Sequence, residues 1–421
     1  MDVVGYQNIQ RQRSCPVIII QYTNMRKKIG GVIVSDLNHT NYGSCLQAYA
    51  TLKTVERLGY ELTFIKYRKQ RSLWDWLKIT PGLLLSGGLE LIKNKIKYKS
   101  NLKRHPNYAD NQKIRCNITN AFKQKEFVPH FKEYIGYKAL CEGSKNFDAC
   151  FVGSDQVWRP YGFYSNYWNL NFVDDCVPKF SYASSYGVSR IPAIQKAGTK
   201  RYLERLDMIS VREIKAKDIV DSISNKKAIV VVDPTMLFTH EQWIKFANES
   251  NKNIPIEPYI FCYFLGNQSK IREEVKKLAQ KTGLKIVIMR HMDEYVPADE
   301  TLGDYAPYDI DARDFVKLLA NAKYVCTDSF HGTVFSILMH RKFCTFYRTK
   351  PSASNSTHSR IDNLLNIFNL INRKFNGDIM VIQEEITYAN IEDKLREYRA
   401  KSLDFLKRAL ALADNKQENR I

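Results

Sequence analysis

Residues 324 to 338 read Tyr-Val-Cys-Thr-Asp-Ser-Phe-His-Gly-Thr-Val-Phe-Ser-Ile-Leu, and the change of pattern inside this stretch decides the fold. Tyr324 to Thr327 is a short apolar run of the kind that forms a strand covered on both faces. It stops at Asp328-Ser329, two good N-cap residues, and a helix pattern opens with His331 and Gly332 in its first turn. A strand that turns straight into a helix is the unit of a parallel α/β sheet. The turn also has a chemical meaning: a helix N-terminus presents unpaired N–H groups and about half a positive charge, which makes it an anion site. A histidine there can bind phosphate or hand over a proton; the plainer reading is a capped helix whose histidine fills a turn.

Outward from this stretch the same alternation recurs. Strand-like runs at 29–34, 62–67, 147–152, 180–185, 208–211 and 229–232 form one series, with a helix pattern at about 42–58. A second series has strands at 259–265, 285–289, 324–327 and 343–347, with helices at about 269–281, 312–321 and 331–340. Pro255 and Pro258 flank Glu257 between the two, so 252–258 is the expected linker. The fold class read from this is α/β: two doubly wound Rossmann-like domains with a central cleft. The expected division is an irregular extension at 1–26, an acceptor-side domain at 27–253, a second domain at 254–375, and a helical segment at 376–421 that packs back on the body. Residues 69–145 read as basic and irregular.

Length and composition agree. The chain has 421 residues, more than one ordinary core organises, and 44% hydrophobic with 26% charged residues is the balance of a folded globular protein. The net charge of +20 points to anionic partners. No run approaches the ~18 apolar residues of a spanning helix. The beginning of the chain lacks the pattern of a secretory signal, so a cytoplasmic location is expected. Nine cysteines without a C-x-x-C pair fit neither a disulfide framework nor a zinc knuckle.

Several strand ends carry polar groups. The first strand runs out at Ser35-Asp36, and the loop from Leu37 to Ser44, with Asn38, Asn41, Tyr42 and Gly43, leads into a helix. It reads as a binding loop, with helix capping by Thr40 or Asn41 as the structural reading. It is not a G-x-G-x-x-G fingerprint, and no Walker A pattern occurs. Val152-Gly153-Ser154-Asp155-Gln156-Val157-Trp158-Arg159 and Ser181 to Gly187 repeat the design, and Arg212 follows another strand end, placed for bidentate contact with carboxylate or phosphate. Asp309-Ile310-Asp311 imitates a metal-binding D-x-D but precedes a helix pattern, H-E-x-x-H is absent, and no metal is expected. No G-x-S-x-G elbow appears. Lys93, Lys95, Lys97, Lys99, Lys103 and Arg104 follow one another with no acid between Leu91 and Ala109, after Trp74 and Trp76. That is the composition of a segment lying on an anionic membrane surface, or of a solvated basic face. No nucleic-acid module is recognisable, and no nucleic-acid partner is expected.

Taken in order, these motifs resemble the polysaccharide pyruvyl transferases. The resemblance runs from about Ile29 to Leu370 and rests on Thr40-Asn41-Tyr42-Gly43 with Leu46-Gln47-Ala48-Tyr49, on Val152 to Trp158, Ser181 to Gly187, Val211-Arg212-Glu213, Val232-Asp233-Pro234-Thr235, Asp328 to Gly332 and Ser359-Arg360-Ile361. Each motif is weak alone; the ordered set is specific. Two departures are Arg341-Lys342 where the family often has proline before the final strand, and the unalignable region 69–145.

The resemblance implies a glycosyltransferase-B-like enzyme that moves the pyruvyl unit of phosphoenolpyruvate onto a sugar as a cyclic ketal and needs no further cofactor. It implies that His331 and Arg212 serve the phosphoenolpyruvate site and that Asn38, Asn41, Tyr42 and Gly43, beside Ser154 and Asp155, serve the acceptor. Ser329, Gly332 and Lys350 are the expected donor-binding groups, and Asp36 is a candidate base or a structural residue. The expected partners are phosphoenolpyruvate and a sugar or lipid-linked oligosaccharide of a surface or capsular polysaccharide, with the protein peripheral at the inner membrane face if the basic stretch binds lipid. The competing readings are a sugar transferase using a nucleotide sugar in the same cleft, and a basic membrane or nucleic-acid binding protein.

Overall fold

The computed structural model describes residues 26–70, 80, 88–348 and 358–414; apart from Arg26, the expected irregular extension at 1–26 lies outside them. Seven parallel strands form the first sheet: β1 (Lys28–Val32), β2 (Glu61–Arg68), β3 (Phe131–Ile135), β4 (Ala149–Val152), β5 (Lys179–Ser184), β6 (Met208–Val211) and β7 (Ala228–Val230). Their order is β3-β2-β1-β4-β5-β6-β7. Four more, β8 (Tyr259–Tyr263), β9 (Lys285–Met289), β10 (Tyr324–Thr327) and β11 (Lys342–Thr345), form a second parallel sheet in the order β11-β10-β8-β9. This is the two-sheet α/β architecture that the alternating runs predict. β4, β5, β8 and β10 are buried along their whole length, which is why β4 and β8 read as apolar runs, while β5 buries Lys179, Ser181 and Ser184 among its apolar residues.

Both sheets reverse their winding direction between two neighbouring strands, β1 and β4 in the first and β8 and β10 in the second. At such a point the loops leaving the carboxyl ends splay apart and open a crevice. The two halves are joined by a shared core. Tyr42, at the start of the helix Tyr42–Arg57 of the first half, stacks on Phe315 of the helix Ala312–Ala320 of the second at 4.7 Å, and its hydroxyl donates to Ile310 O at 2.8 Å. Burying a ring of this size is worth on the order of 2 kcal/mol. The helix Tyr388–Ala411 lies against the first half: Arg399 donates to the carbonyls of Met236 and Phe238, and Ser402 Oγ accepts from Val232 N at 3.0 Å.

Region 69–145 departs from expectation. Instead of an irregular stretch, its described residues form the helices Gly88–Arg104, Pro106–Glu126 and Tyr137–Ser144, and the edge strand β3. Hydrophobic periodicity misses them because the face that Pro106–Glu126 buries is largely polar. Arg115 donates to the carbonyls of Tyr308 (2.8 Å) and Pro307 (2.7 Å), and Lys123 donates to those of Asp36 (2.7 Å) and His39 (2.5 Å). β3 buries only Tyr134, as an edge strand with one side open does.

Candidate active site

A cavity of about 370 Å³ opens where the two switch points face each other. After β1 it is lined by Val34, His39, Asn41 and Ser44; after β4 by Asp155, Gln156, Val157 and Arg159; after β8 by Leu265; and after β10 by Ser329, Phe330 and His331. Tyr161, Trp168, Arg348 and Arg360 complete the wall.

The helix Phe330–Leu338 begins as the sequence predicts. Ser329 is the N-cap, its hydroxyl accepting from Gly332 N at 3.3 Å, and His331 stands in the first turn beside the cavity. Two glycines make this placement possible. A Cβ on Gly332 would lie 2.3 Å from Thr327 Oγ1, so glycine lets the helix start press against the end of β10. A Cβ on Gly43 would lie 2.1 Å from His331 Nδ1, so the first helix of one half gives the imidazole of the other its seat.

Behind the histidine is a buried charge network. Asp233, the residue before Pro234, receives Arg212 Nη1 at 2.7 Å and Ser154 Oγ at 3.1 Å, and His331 Nε2 lies 3.5 Å from the same oxygen. Its other oxygen accepts from Thr235 N (3.1 Å) and Thr235 Oγ1 (2.8 Å). Arg212 Nη2 reaches Asp155 at 3.3 Å, Ser44 Oγ donates to the far oxygen of Asp155 at 3.2 Å, and Glu213 accepts from Ser185 Oγ at 2.7 Å. Burial alone would raise the carboxyls of Asp155 and Asp233. The neighbouring cations outweigh it, Arg212 with His331 and Arg360 holding Asp155 down to about 2, and His331 with Arg212 holding Asp233 well below the carboxylate range. Glu213 goes the other way, because its burial exceeds what Arg212 and Arg360 return.

Arg360 differs from Arg212. Its guanidinium lies 5.6 Å from the centre of the Phe330 ring, which Arg212 also approaches at 4.5 Å. Its Nε is buried without a partner, and no carboxylate lies within ion-pair distance among the described residues. Burial first and Arg212 second push it down to about 9, with Glu213 and Asp155 acting the other way, so it remains a cation at neutral pH.

The sequence-predicted site residues divide accordingly. His331, Ser329, Asn41 and Asp155 line the cavity, and Asn41 also caps the helix Tyr42–Arg57 by accepting from Ser44 N. Gly43 and Gly332 act through His331 and Thr327. Five expectations are corrected. Arg212 does not face a ligand: its side chain is 2% exposed and its fork is taken up by Asp233 and Asp155. Tyr42 is a core residue, and Ser154 is wholly buried on Asp233. Asp36 stands outside the cavity wall, 63% exposed and paired with Lys66. Asn38 pairs with Asn120 instead of lining the cavity, and Lys350 lies outside the described residues. The residues not anticipated as site groups are Asp233, Arg360, Arg159, His39, Trp168 and Arg348. Asp233 and Arg360 stood in the quoted motifs, Arg159 closed one, His39 belonged to the first loop and Arg348 follows a strand end; nothing in the sequence marks Trp168.

No curated protein matches the chain. Among solved structures the chain is similar to the UDP-GlcNAc 2-epimerase of Neisseria meningitidis bound to UDP-GlcNAc, at 9% identity and a TM-score of 0.44 over 90% of this chain and 99% of that one. It is similar also to the UDP-GlcNAc 2-epimerase of Methanocaldococcus jannaschii (9%, 0.43, over 80% and 91%) and to the ADP-heptose lipopolysaccharide heptosyltransferase II of E. coli (10%, 0.32, over 90% and 99%). The family model for polysaccharide pyruvyl transferases matches residues 41–350, from the N-cap of the first helix past the end of β11. The chain belongs to the polysaccharide pyruvyl transferase family.

Proposed function

We propose that the protein transfers the pyruvyl group of phosphoenolpyruvate to two neighbouring hydroxyls of a sugar in a surface or capsular polysaccharide or its lipid-linked precursor, forming a cyclic ketal and releasing phosphate. The observation that supports this most directly is the charge balance of the cavity wall. Arg159, Arg348 and Arg360 stand there with His331 and a helix N-terminus; the wall carboxylate Asp155 is engaged by Arg212, and Asp328 lies 3.9 Å from Arg348, which leaves Arg159 and Arg360 without an ion-pair partner among the described residues. A small donor carrying both a carboxylate and a phosphate supplies the missing negative charge, and a few hundred Å³ suits a small ligand.

The steps follow from the donor's chemistry. A proton delivered to the methylene carbon of phosphoenolpyruvate leaves positive character at C2; one sugar hydroxyl attacks there and releases its proton; the C2–O bond to phosphate breaks; and a second hydroxyl closes the ketal, releasing the second proton. His331 is the proton donor in this reading, since its imidazole stands on the cavity wall and can carry a proton on a ring nitrogen. Asp233 places a negative charge 3.5 Å from its Nε2, and Arg212 fixes Asp233 and Asp155 in place. Asp155 is too weak a base at about 2 to take the hydroxyl's proton, and its role is to accept a hydrogen bond from the acceptor. His39, the other imidazole on the wall, is the base candidate, while Trp168 and Tyr161 offer aromatic faces to a sugar ring.

Titration calorimetry with phosphoenolpyruvate, pyruvate and inorganic phosphate tests the donor assignment. Phosphoenolpyruvate should bind more tightly than either fragment, and the Arg360→Met variant should lose that advantage. Absence of phosphoenolpyruvate binding, with binding of a nucleotide sugar in the same cavity, contradicts the assignment.

A further inference from the structure

The helix Gly88–Arg104 presents an apolar stripe to solvent. Leu89 is 55%, Ile92 54% and Ile96 63% exposed. At about 100° per residue the three fall within roughly 60° of arc, with Lys103 in line and Lys99 and Lys93 on the two flanks. The half-buried Tyr98 and Leu102 occupy the opposite side. Lys97 is paired with Glu294 at 2.5 Å; no described carboxylate pairs with Lys93, Lys95, Lys99, Lys103 or Arg104. Three exposed branched aliphatic side chains in register are an unusual surface for a solvated helix. Aliphatic residues flanked by lysines are the arrangement of a helix lying in a membrane interface, the chains entering the acyl boundary and the ammonium groups reaching back to the headgroups.

The helix also adjoins the rim of the cavity. Glu294, which holds Lys97, receives Asn267 at 3.2 Å, and the preceding Asp293 receives Thr40 Oγ1 at 3.4 Å. Thr40 sits between His39 and Asn41, both on the cavity wall. We propose that this helix docks the protein on an anionic lipid bilayer, with Leu89, Ile92 and Ile96 inserted and Lys93, Lys95, Lys99, Lys103 and Arg104 on the headgroups, so that the cavity opens beside the membrane surface. The proposal does not depend on the identity of the donor.

The test is co-sedimentation of the full chain with phosphatidylcholine vesicles containing about one third phosphatidylglycerol, and with pure phosphatidylcholine vesicles, at low and high salt. Two variants are compared, K93Q/K95Q/K99Q/K103Q and I92S/I96S, each checked by circular dichroism and thermal melting; dextran sulfate serves as a soluble polyanion. The expected result is salt-sensitive binding to anionic vesicles only, weakened by roughly tenfold or more in each variant. No binding of the wild-type chain at low salt overturns the proposal. So does undiminished binding by the I92S/I96S variant, or equal competition from dextran sulfate, either of which makes the face a general polyanion surface.

Discussion

Replacing Gly43 by alanine adds one methyl group at a place where the contact is already closed. An ideal Cβ at this position lies 2.1 Å from His331 Nδ1 and 2.5 Å from its Cγ. Ordinary contact distances are about 3.5 Å, so the imidazole must withdraw by more than about 1 Å. The helical backbone itself favours alanine over glycine by up to about 1 kcal/mol, which partly offsets an overpacking cost of about 1–3 kcal/mol, so the fold survives. A shift of about 1 Å in a proton-donating group costs on the order of 100-fold in turnover. The assay is phosphate release from phosphoenolpyruvate with an acceptor glycoside, measured for wild type, Gly43→Ala, His331→Ala and the double variant. His331→Ala should lose roughly 100-fold or more, and the double variant should be no slower than His331→Ala, because without the ring the methyl group has room. Turnover within a few-fold of wild type in Gly43→Ala, or a further 100-fold loss in the double variant, would refute the reasoning that Gly43 acts by seating His331.

Arg360→Met should raise the donor KM about 10- to 100-fold while leaving the urea-unfolding free energy equal or higher, since a buried guanidinium with no ion-pair partner among the described residues is costly to bury. Asp233→Asn removes the carboxylate charge that faces Arg212 at 2.7 Å and should lower the unfolding free energy by about 3 kcal/mol in urea titrations. The carboxyl of Asp155 is held below its ordinary range in the folded protein, so its contribution to stability is complete above about pH 4 and is lost as pH falls towards 2. The slope of unfolding free energy against pH across that window should be shallower in Asp155→Asn.

The strands and the histidine were legible because their signals are local. Tyr324 to Thr327 is apolar throughout, Asp328-Ser329 stops it, and the observed strand and cap match that reading. The helix Pro106–Glu126 was not legible, since Arg115 and Lys123 are buried against carbonyls up to 193 residues away in sequence. Arg212 was found but given the wrong neighbours: its strand-end position predicts an anion partner, and only the fold reveals that Asp233 and Asp155 supply it internally. Arg360 escaped for the complementary reason. It is on a helix that follows β11 in sequence, and its approach to Phe330 beside Arg212 arises from tertiary packing.

The most direct measurement is the fate of phosphoenolpyruvate labelled with ¹³C at C2, incubated with the protein and glycosides bearing neighbouring free hydroxyls. The account predicts phosphate released in step with a product heavier by pyruvate less water, and the labelled enol carbon converted to a ketal carbon in the NMR spectrum. Phosphoenolpyruvate left intact by the protein while a nucleotide sugar is consumed and its nucleotide released would contradict it.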